Sequence, residues 1–111
     1  MHRRSEYLRA QRAGLRYQSA HFVIYAAHAP EHLQVRLGIT VSRKIGGAVV
    51  RNRIKRRVRE CFRRRLRSAL AAGTDLVVIA RGGAGTLESA VLCGELATAV
   101  AKLARRFEAT S

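Results

Sequence analysis

The segment from Arg51 to Arg67 constrains this chain most, because ten of its seventeen residues are Lys or Arg. Like charges at this density repel one another along a helix unless solvent or a polyanion takes up the charge. Apolar residues nevertheless recur at helical spacing and form one stripe: Val50, Ile54, Val58, Cys61, Phe62, Leu66 and Ala69. The sequence therefore predicts a basic helix from about Val49 to Leu70, closed by Gly73, whose apolar stripe packs on a sheet.

The polar side of this helix forms two ridges at spacings of three and four residues. The first ridge consists of Asn52, Arg56, Arg59 and Arg63, with Lys55 beside it. The second ridge consists of Arg53, Arg57 and Arg64. Glu60 lies four residues from Arg56 and from Arg64, where it is expected to relieve their repulsion. Two exposed ridges are expected to meet two different RNA surfaces.

Composition points to a nucleic-acid partner. A chain of 111 residues predicts one domain spanning 1–111, and 22 Lys and Arg against 7 Asp and Glu give a formal charge of +15. Such a surface binds phosphate backbones by releasing condensed counterions, and this binding depends on salt. No signal peptide and no apolar run of membrane-spanning length is visible, so a cytoplasmic protein that does not contact the membrane is expected.

Two cysteines, Cys61 and Cys93, lie 32 positions apart. There is no Cys-x-x-Cys pair and no histidine at ligand spacing, so neither a zinc site nor a disulfide is predicted. Both cysteines are expected to be small core residues in a reducing cytosol.

Strand-like apolar patterns, helical spacing and capping residues predict the other elements. Ser5 is expected to cap a helix over 6–13, and strands are predicted over 21–27, 37–41 and 75–81, with a short extra strand near Arg16. Phe22, Ile24 and Ala26 should face the core. Thr86 is expected to cap a last helix that reaches Phe107 and buries Leu92, Leu96, Val100, Leu103 and Phe107.

Several patterns have competing interpretations. The glycines of 82–85 match neither a dinucleotide nor a phosphate-loop spacing, so a flexible turn is favoured over a nucleotide pocket. Pro30 between His28 and His32 favours surface histidines over a metal site. The seven carboxylates are scattered and form no paired acid and base in sequence. Val23 and Tyr25 point to the side of the strand opposite Phe22 and Ile24. On that side they are either ordinary packing residues or a platform on which single-stranded nucleic acid stacks.

The run from Arg51 to Glu60, Arg-Asn-Arg-Ile-Lys-Arg-Arg-Val-Arg-Glu, follows a Ser-Arg-Lys-Ile-Gly turn at 42–46. This block closely resembles the bacterial ribonuclease P protein family. The resemblance implies an α+β fold, a two-layer α/β sandwich with the order α-β-β-β-α-β-α. It also implies a left-handed βαβ crossover around the basic helix, against the usual right-handed rule.

The resemblance further implies a function and its residues. The protein would bind one catalytic RNA and the 5′ leader of precursor tRNA, while that RNA holds Mg²⁺ and removes the leader by hydrolysis. The residues matching the block that meets the RNA subunit are Arg51, Asn52, Arg53, Arg56 and Arg57. Those matching the leader cleft are Tyr7, Val23, Tyr25, Lys55 and Arg59, and Gln11 stands where a second aromatic is usual.

Three alternatives remain open at this point. Small α/β domains with basic helices also serve as ribosomal or other structural RNA-binding proteins. An arginine-rich helix also suits the major groove of DNA. A protein-only nuclease is the third alternative. Binding to ribosomal RNA, preference for DNA, or Mg²⁺-dependent cleavage by the protein alone would distinguish these classes.

Overall fold

Four strands form one sheet in the computed structural model, which describes residues 14–28 and 33–110, with side chains through residue 106. They are β1 (Leu15–Gln18), β2 (Phe22–His28), β3 (Arg36–Thr40) and β4 (Thr74–Ala80), in the spatial order β1-β2-β4-β3. β2 pairs antiparallel with β1 and β4, whereas β3 pairs parallel with β4. The predicted strands, including the short one near Arg16, are confirmed, and the helix predicted over 6–13 lies outside the described residues.

Two helices complete the α+β fold. Helix α1 (Ala48–Cys61) crosses from β3 to β4, and helix α2 (Ser89–Thr110) follows β4. Because parallel neighbours need a crossover connection, the basic helix occupies the position that the strand-helix-strand order predicts. Neither helix is long and apolar enough to cross a membrane, within the part of the chain that the structure describes.

The basic helical segment continues beyond α1 in a wider turn. Phe62–Leu66 is π-helical and Arg67–Ala69 is a 3₁₀ turn, so the helical segment spans 48–69, close to the prediction. The π turn changes the rotation of the residues that follow it, compared with a regular α-helix. Leu66 is buried, but Ala69 is exposed and Leu70 is buried in its place. The prediction that Ala69 belongs to the apolar stripe is therefore wrong.

Both helices pack on one face of the sheet, called here the inner face. Phe22, Ile24 and Ala26 are fully buried there, as predicted, together with alternate residues of β4. The stripe of α1 joins the same core through Ile54, Val58, Cys61 and Leu66. Val41 is buried, and Leu37 and Ile39 are partly buried against this core. A helix with a strongly charged outer side is thus held on the sheet by its apolar side.

Helix α2 buries the predicted residues but begins later than predicted. Leu92, Leu96, Val100 and Leu103 are each no more than 1% exposed. The predicted cap at Thr86 is wrong, because Thr86 ends a separate 3₁₀ turn and its hydroxyl donates to the Gly83 carbonyl at 2.9 Å. The last predicted core residue, Phe107, lies beyond the described side chains.

The two cysteines form a disulfide that joins the end of α1 to α2. Their Cα atoms are 5.4 Å apart although 32 positions separate them in sequence. The prediction of two reduced cysteines is therefore wrong. Cysteine spacing in the sequence carries no information about which helix faces meet, and here the packing of α1 on α2 brings the two residues together.

Glu95 ties α2 to the turn between β1 and β2. Its Oε2 accepts hydrogen bonds from the Ser19 hydroxyl at 2.5 Å and the His21 amide at 2.8 Å, and its Oε1 accepts one from His21 Nδ1 at 2.7 Å. Burial raises the pKa of the Glu95 carboxyl, but the bonds from Ser19 and His21 and the charge of His21 lower it more. The net pKa lies below the ordinary value of 4.5. The charged form of Glu95 therefore stabilises the fold.

Glu95→Gln should lower the free energy of unfolding by about 1–3 kcal/mol near neutral pH, because an amide cannot accept the same set of hydrogen bonds. A carboxyl with a lowered pKa in the folded state stabilises the protein above its unfolded pKa. That stability is lost as the pH falls through the folded pKa. Urea unfolding from about pH 7 to about pH 3 should therefore show the wild type and the variant converging at acidic pH.

The matched control is Glu88→Gln, since Glu88 is exposed and its carboxylate makes no hydrogen bond or ion pair among the described residues. A difference between wild type and Glu95→Gln that stayed constant across this pH range would contradict the assigned role of the Glu95 charge.

Candidate nucleic-acid interface

The amino-terminal end of α1 is strongly electropositive. Gly47 precedes the helix without a side-chain cap, and the first turn contains no acidic residue. The partial positive charge of the helix terminus therefore adds to the charge of Arg51 and is not offset by a carboxylate. This end of the helix favours an anion.

The first ridge is available to a partner. Asn52, Arg56, Arg59 and Arg63 are exposed, and Lys55 is half-buried beside them. None of these side chains forms a hydrogen bond or ion pair with another described residue. Glu60 is also exposed and forms no ion pair with Arg56 or Arg64, so its expected effect on their repulsion stays a prediction. The first ridge thus presents uncompensated positive charge to solvent.

The second ridge has a different arrangement from the one predicted. Arg53 and Arg57 are half-buried and contact the loop between β4 and α2, whereas Arg64 is exposed. Arg53 Nη2 donates to the Gly85 carbonyl at 3.1 Å, and Arg57 Nη1 donates to the Leu87 carbonyl at 2.5 Å. The expectation of a second fully exposed ridge is wrong, because two of its three arginines fasten α1 to this loop.

Two further donors belong to arginines in the first half of α1. The Nε atoms of Arg51 and Arg53 are buried and have no hydrogen-bond partner among the described residues. A buried donor without a partner is unfavourable, and a bound acceptor relieves that cost. Phosphate oxygens are suitable acceptors for these guanidinium groups.

The glycines of the loop after β4 allow its close approach to α1. Gly83 has a φ of +88°, in the left-handed region that favours glycine. A Cβ added at Gly85 would lie 2.8 Å from Val50 Cγ1, so this position requires glycine because the helix is so near. The glycine-rich sequence thus serves the packing that positions Arg53 and Arg57.

Gly85→Ala should lower the free energy of unfolding by about 1–3 kcal/mol, because the added methyl overlaps a β-branched side chain that moves little. Adding Val50→Ala should recover part of this loss, so that the double variant is more stable than the sum of the single changes predicts. Chemical denaturation of the four proteins in this cycle measures the coupling.

Gly82→Ala is the matched control, since a Cβ there meets no atom within 4 Å. Purely additive losses in the Gly85 and Val50 cycle would contradict the proposed steric contact.

The other face of the sheet, called the outer face, carries the aromatic candidate. Tyr25 pairs in register with Arg16 on β1 and with Val77 on β4. Val23 pairs with Gln18 and Ile79 in the neighbouring row. Since residues paired directly across strands share a face, these side chains form one continuous surface. The place of Arg16 and Gln18 on this surface could not be predicted from the sequence, because β1 has only four residues and gives a weak alternating pattern.

A buried ion pair lies farther along the outer face. The Asp75 carboxylate is fully buried and accepts hydrogen bonds from Arg36, from Nε at 3.0 Å and from Nη2 at 3.3 Å. Ala27, Asp75 and Arg36 occupy one row across β2, β4 and β3. The pair is bidentate, which fixes the relative position of the two charges.

The candidate residues fall into two groups on opposite faces. The first group lies on α1, which packs on the inner face, and consists of Arg51, Asn52, Arg53, Lys55, Arg56, Arg57 and Arg59. The second group, Val23 and Tyr25, lies half-buried on the outer face. A strand that contacts both groups must therefore pass around an edge of the sheet. Tyr7 and Gln11 lie outside the described residues. Among residues 14–28 and 33–106, no three His, Cys, Asp or Glu side chains are grouped as metal ligands.

A basic helix with uncompensated charge, packed beside a sheet whose other face presents an aromatic, defines a small nucleic-acid-binding α+β domain. The sequence model of the Ribonuclease P family matches residues 1–104, and the chain belongs to that family.

Known relatives and structures agree with this assignment. A ribonuclease P protein component of Caulobacter vibrioides is 40% identical over 104 residues, which are 94% of this chain and 70% of the relative. One from Geobacillus kaustophilus is 55% identical over 60 residues, 54% of this chain but only 49% of the relative, so that match spans about half of its length. The RNase P protein of Staphylococcus aureus matches with a TM-score of 0.83 at 33% identity, covering 93% of this chain and 94% of that one. The predicted α+β sandwich is thereby confirmed.

Proposed function

We propose that this chain binds the catalytic RNA of ribonuclease P and the 5′ leader of precursor tRNA, and that the RNA performs the hydrolysis. As a member of the family, the chain is a protein component of ribonuclease P and acts in tRNA processing. The observation that carries the proposal is the first ridge of α1, whose cations have no carboxylate partner among the described residues. A polyanion is the partner that such a ridge requires.

The RNA subunit is proposed to contact Arg51, Asn52, Arg53, Arg56 and Arg57 at the start of α1. Arg56 and Asn52 offer exposed donors, and the helix terminus adds its own positive potential. Arg53 and Arg57 contribute in a second way, because their bonds to the loop hold α1 in place. The buried Nε donors of Arg51 and Arg53 gain acceptors when phosphate oxygens reach this end of the helix.

The leader is proposed to lie on the outer face against Val23 and Tyr25, with Tyr7, Lys55 and Arg59 completing its contacts. A half-buried tyrosine ring in a fixed strand position is suited to stacking on a base. Base stacking on an aromatic is worth about 1–3 kcal/mol and tolerates different sequences. Arg16 and Gln18 continue this surface at its edge.

Mg²⁺ in this proposal belongs to the RNA subunit, where it would activate water and neutralise charge on the scissile phosphate. Two carboxylates of the protein already have structural roles, since Asp75 binds Arg36 and Glu95 binds Ser19 and His21. The protein raises affinity for substrate and screens repulsion between two polyanions. One protein per RNA, acting in the cytoplasm, completes the proposal. The comparisons favour this function over that of a ribosomal protein.

Reconstitution tests the function directly. Adding the protein to its cognate RNA should stimulate removal of the leader at low Mg²⁺, because the protein supplies positive charge that otherwise comes from metal ions. Gel analysis of labelled precursor tRNA measures the cleavage rate. Unchanged cleavage by the RNA in the presence of the folded protein would reject the proposed role.

A second test separates the two RNA contacts. Arg56→Ala should weaken binding of the catalytic RNA and reduce the slope of log affinity against log salt by about 0.7–0.9, the value of one phosphate contact. Tyr25→Ala should leave that binding unchanged but weaken leader binding by about 1–3 kcal/mol.

The matched controls are Arg65→Ala, at an exposed position outside both ridges, and Tyr25→Phe, which keeps the ring. Filter binding with the catalytic RNA, and with precursor tRNAs that have or lack a leader, measures both effects. Equal effects of Arg56→Ala and Tyr25→Ala in both assays would refute the division into two contacts.

A further inference from the structure

A second basic surface lies where β1 meets the carboxyl-terminal half of α2. It is called here the β1–α2 surface and consists of Lys102, Arg105 and Arg106. All three residues are exposed. Lys102, Arg105 and Arg106 lie on one side of α2, because their spacings are three and four residues. None of them belongs to the ridges of α1.

Lys102 and Arg106 contact β1. Lys102 Nζ donates to the Tyr17 hydroxyl at 3.1 Å and lies 5.3 Å from the centroid of the same ring. Arg106 Nη1 donates to the Arg16 carbonyl at 2.8 Å. The contacts with Tyr17 restrict the Lys102 side chain without cancelling its charge, which reduces the entropy lost when an anion binds.

The carboxylate of α2 whose side chain the structure describes has other partners. Glu95, two turns earlier on α2, is already bound by Ser19 and His21. Lys102 and Arg105 form no ion pair in the part of the chain that the structure describes. The arrangement therefore resembles the first ridge of α1 in charge, although a different pair of elements builds it.

The β1–α2 surface is separate from the start of α1. β1 and β3 occupy opposite edges of the sheet, and α1 follows β3 in the chain. The start of α1 contacts the loop after β4, through the bond from Arg53 to the Gly85 carbonyl, whereas Lys102 and Arg106 contact β1. The two surfaces are therefore built on different elements.

We propose that the β1–α2 surface binds the sugar-phosphate backbone of a second RNA segment, without reading its sequence. This proposal rests on the proposed function in one respect, because it takes the RNA to be part of the ribonuclease P assembly. The backbone belongs either to the catalytic RNA or to the precursor tRNA, and both sources offer the same phosphate chemistry. Guanidinium and ammonium groups on a fixed framework bind such phosphates by charge-assisted hydrogen bonds.

The experiment uses the full chain with Lys102→Ala and Arg105→Ala combined. The matched control combines Arg65→Ala and Arg67→Ala, which removes the same charge from exposed positions outside both ridges and the β1–α2 surface. The first assay measures the affinity of the protein for the catalytic RNA, and the second measures the affinity of the holoenzyme for precursor tRNA. Both are carried out between about 50 and about 200 mM monovalent salt.

Loss of two phosphate contacts should make the salt slope shallower by about 1.4–1.8 in one of these assays. The affinity deficit of the variant should then shrink by about tenfold across this salt range. A change in the first assay assigns the backbone to the catalytic RNA, and a change confined to the second assigns it to the precursor tRNA. No change in either assay, or a change equal to that of the control pair, overturns the proposal.

Arg105→Glu guards against a loss caused by unfolding, because Arg105 makes no described contact within the protein and its replacement removes no internal bond. Arg105→Glu should lower the RNA affinity in the same assay as the double variant, while the thermal midpoint of unfolding stays unchanged. Wild-type stimulation of leader removal is recorded in parallel. If the wild-type protein does not stimulate leader removal, the proposed function is rejected. If it does stimulate, but the Lys102 and Arg105 double variant binds both RNAs as the wild type does, only the β1–α2 surface is rejected.

Discussion

The packing of the apolar side of α1 against the inner face of the sheet supports every other feature of this molecule. Ile54 and Val58 are at most 1% exposed and contact the same core as Phe22 and Ile24. Burial of a side chain of this kind contributes about 1.5–3 kcal/mol, which offsets the repulsion among the arginines on the opposite side. The helix can therefore remain folded before any RNA arrives, and its donors are already arranged for binding.

The arginines of this helix divide into positioning and binding groups, although they look equivalent in the sequence. Arg53 and Arg57 reach carbonyls of the loop after β4, and Gly85 lets that loop come close. Arg56 and Arg59 remain exposed. Charge density alone identifies the helix as a ligand for nucleic acid, but only the neighbouring backbone decides which guanidinium groups are free. Gly83 of the same loop lies close to the ring of His21, which is bonded to the carboxylate of Glu95.

Features that depend on neighbours in the sequence could be predicted from it. Alternation identified the buried face of β2, and helical spacing identified the buried residues of both helices. Features that depend on distant segments could not be predicted in this way. The pairing of Cys61 with Cys93, the contact of Arg53 with Gly85, and the bonds of Glu95 to His21 join residues that are 30 or more positions apart. The π turn was missed for another reason, because a regular wheel assumes constant rotation along the helix.

The ion pair between Arg36 and Asp75 has a consequence for how the sheet assembles. β4 is apolar on both sides, from Leu76 to Ala80, so hydrophobicity alone does not tell this strand which side chains should point toward the helices. A shift of β4 by one residue against β3 would exchange its two sides and place the Asp75 carboxylate among aliphatic core residues, without its guanidinium partner. One charge at the beginning of the strand thus excludes the misaligned ladder that an otherwise uniform apolar segment would tolerate.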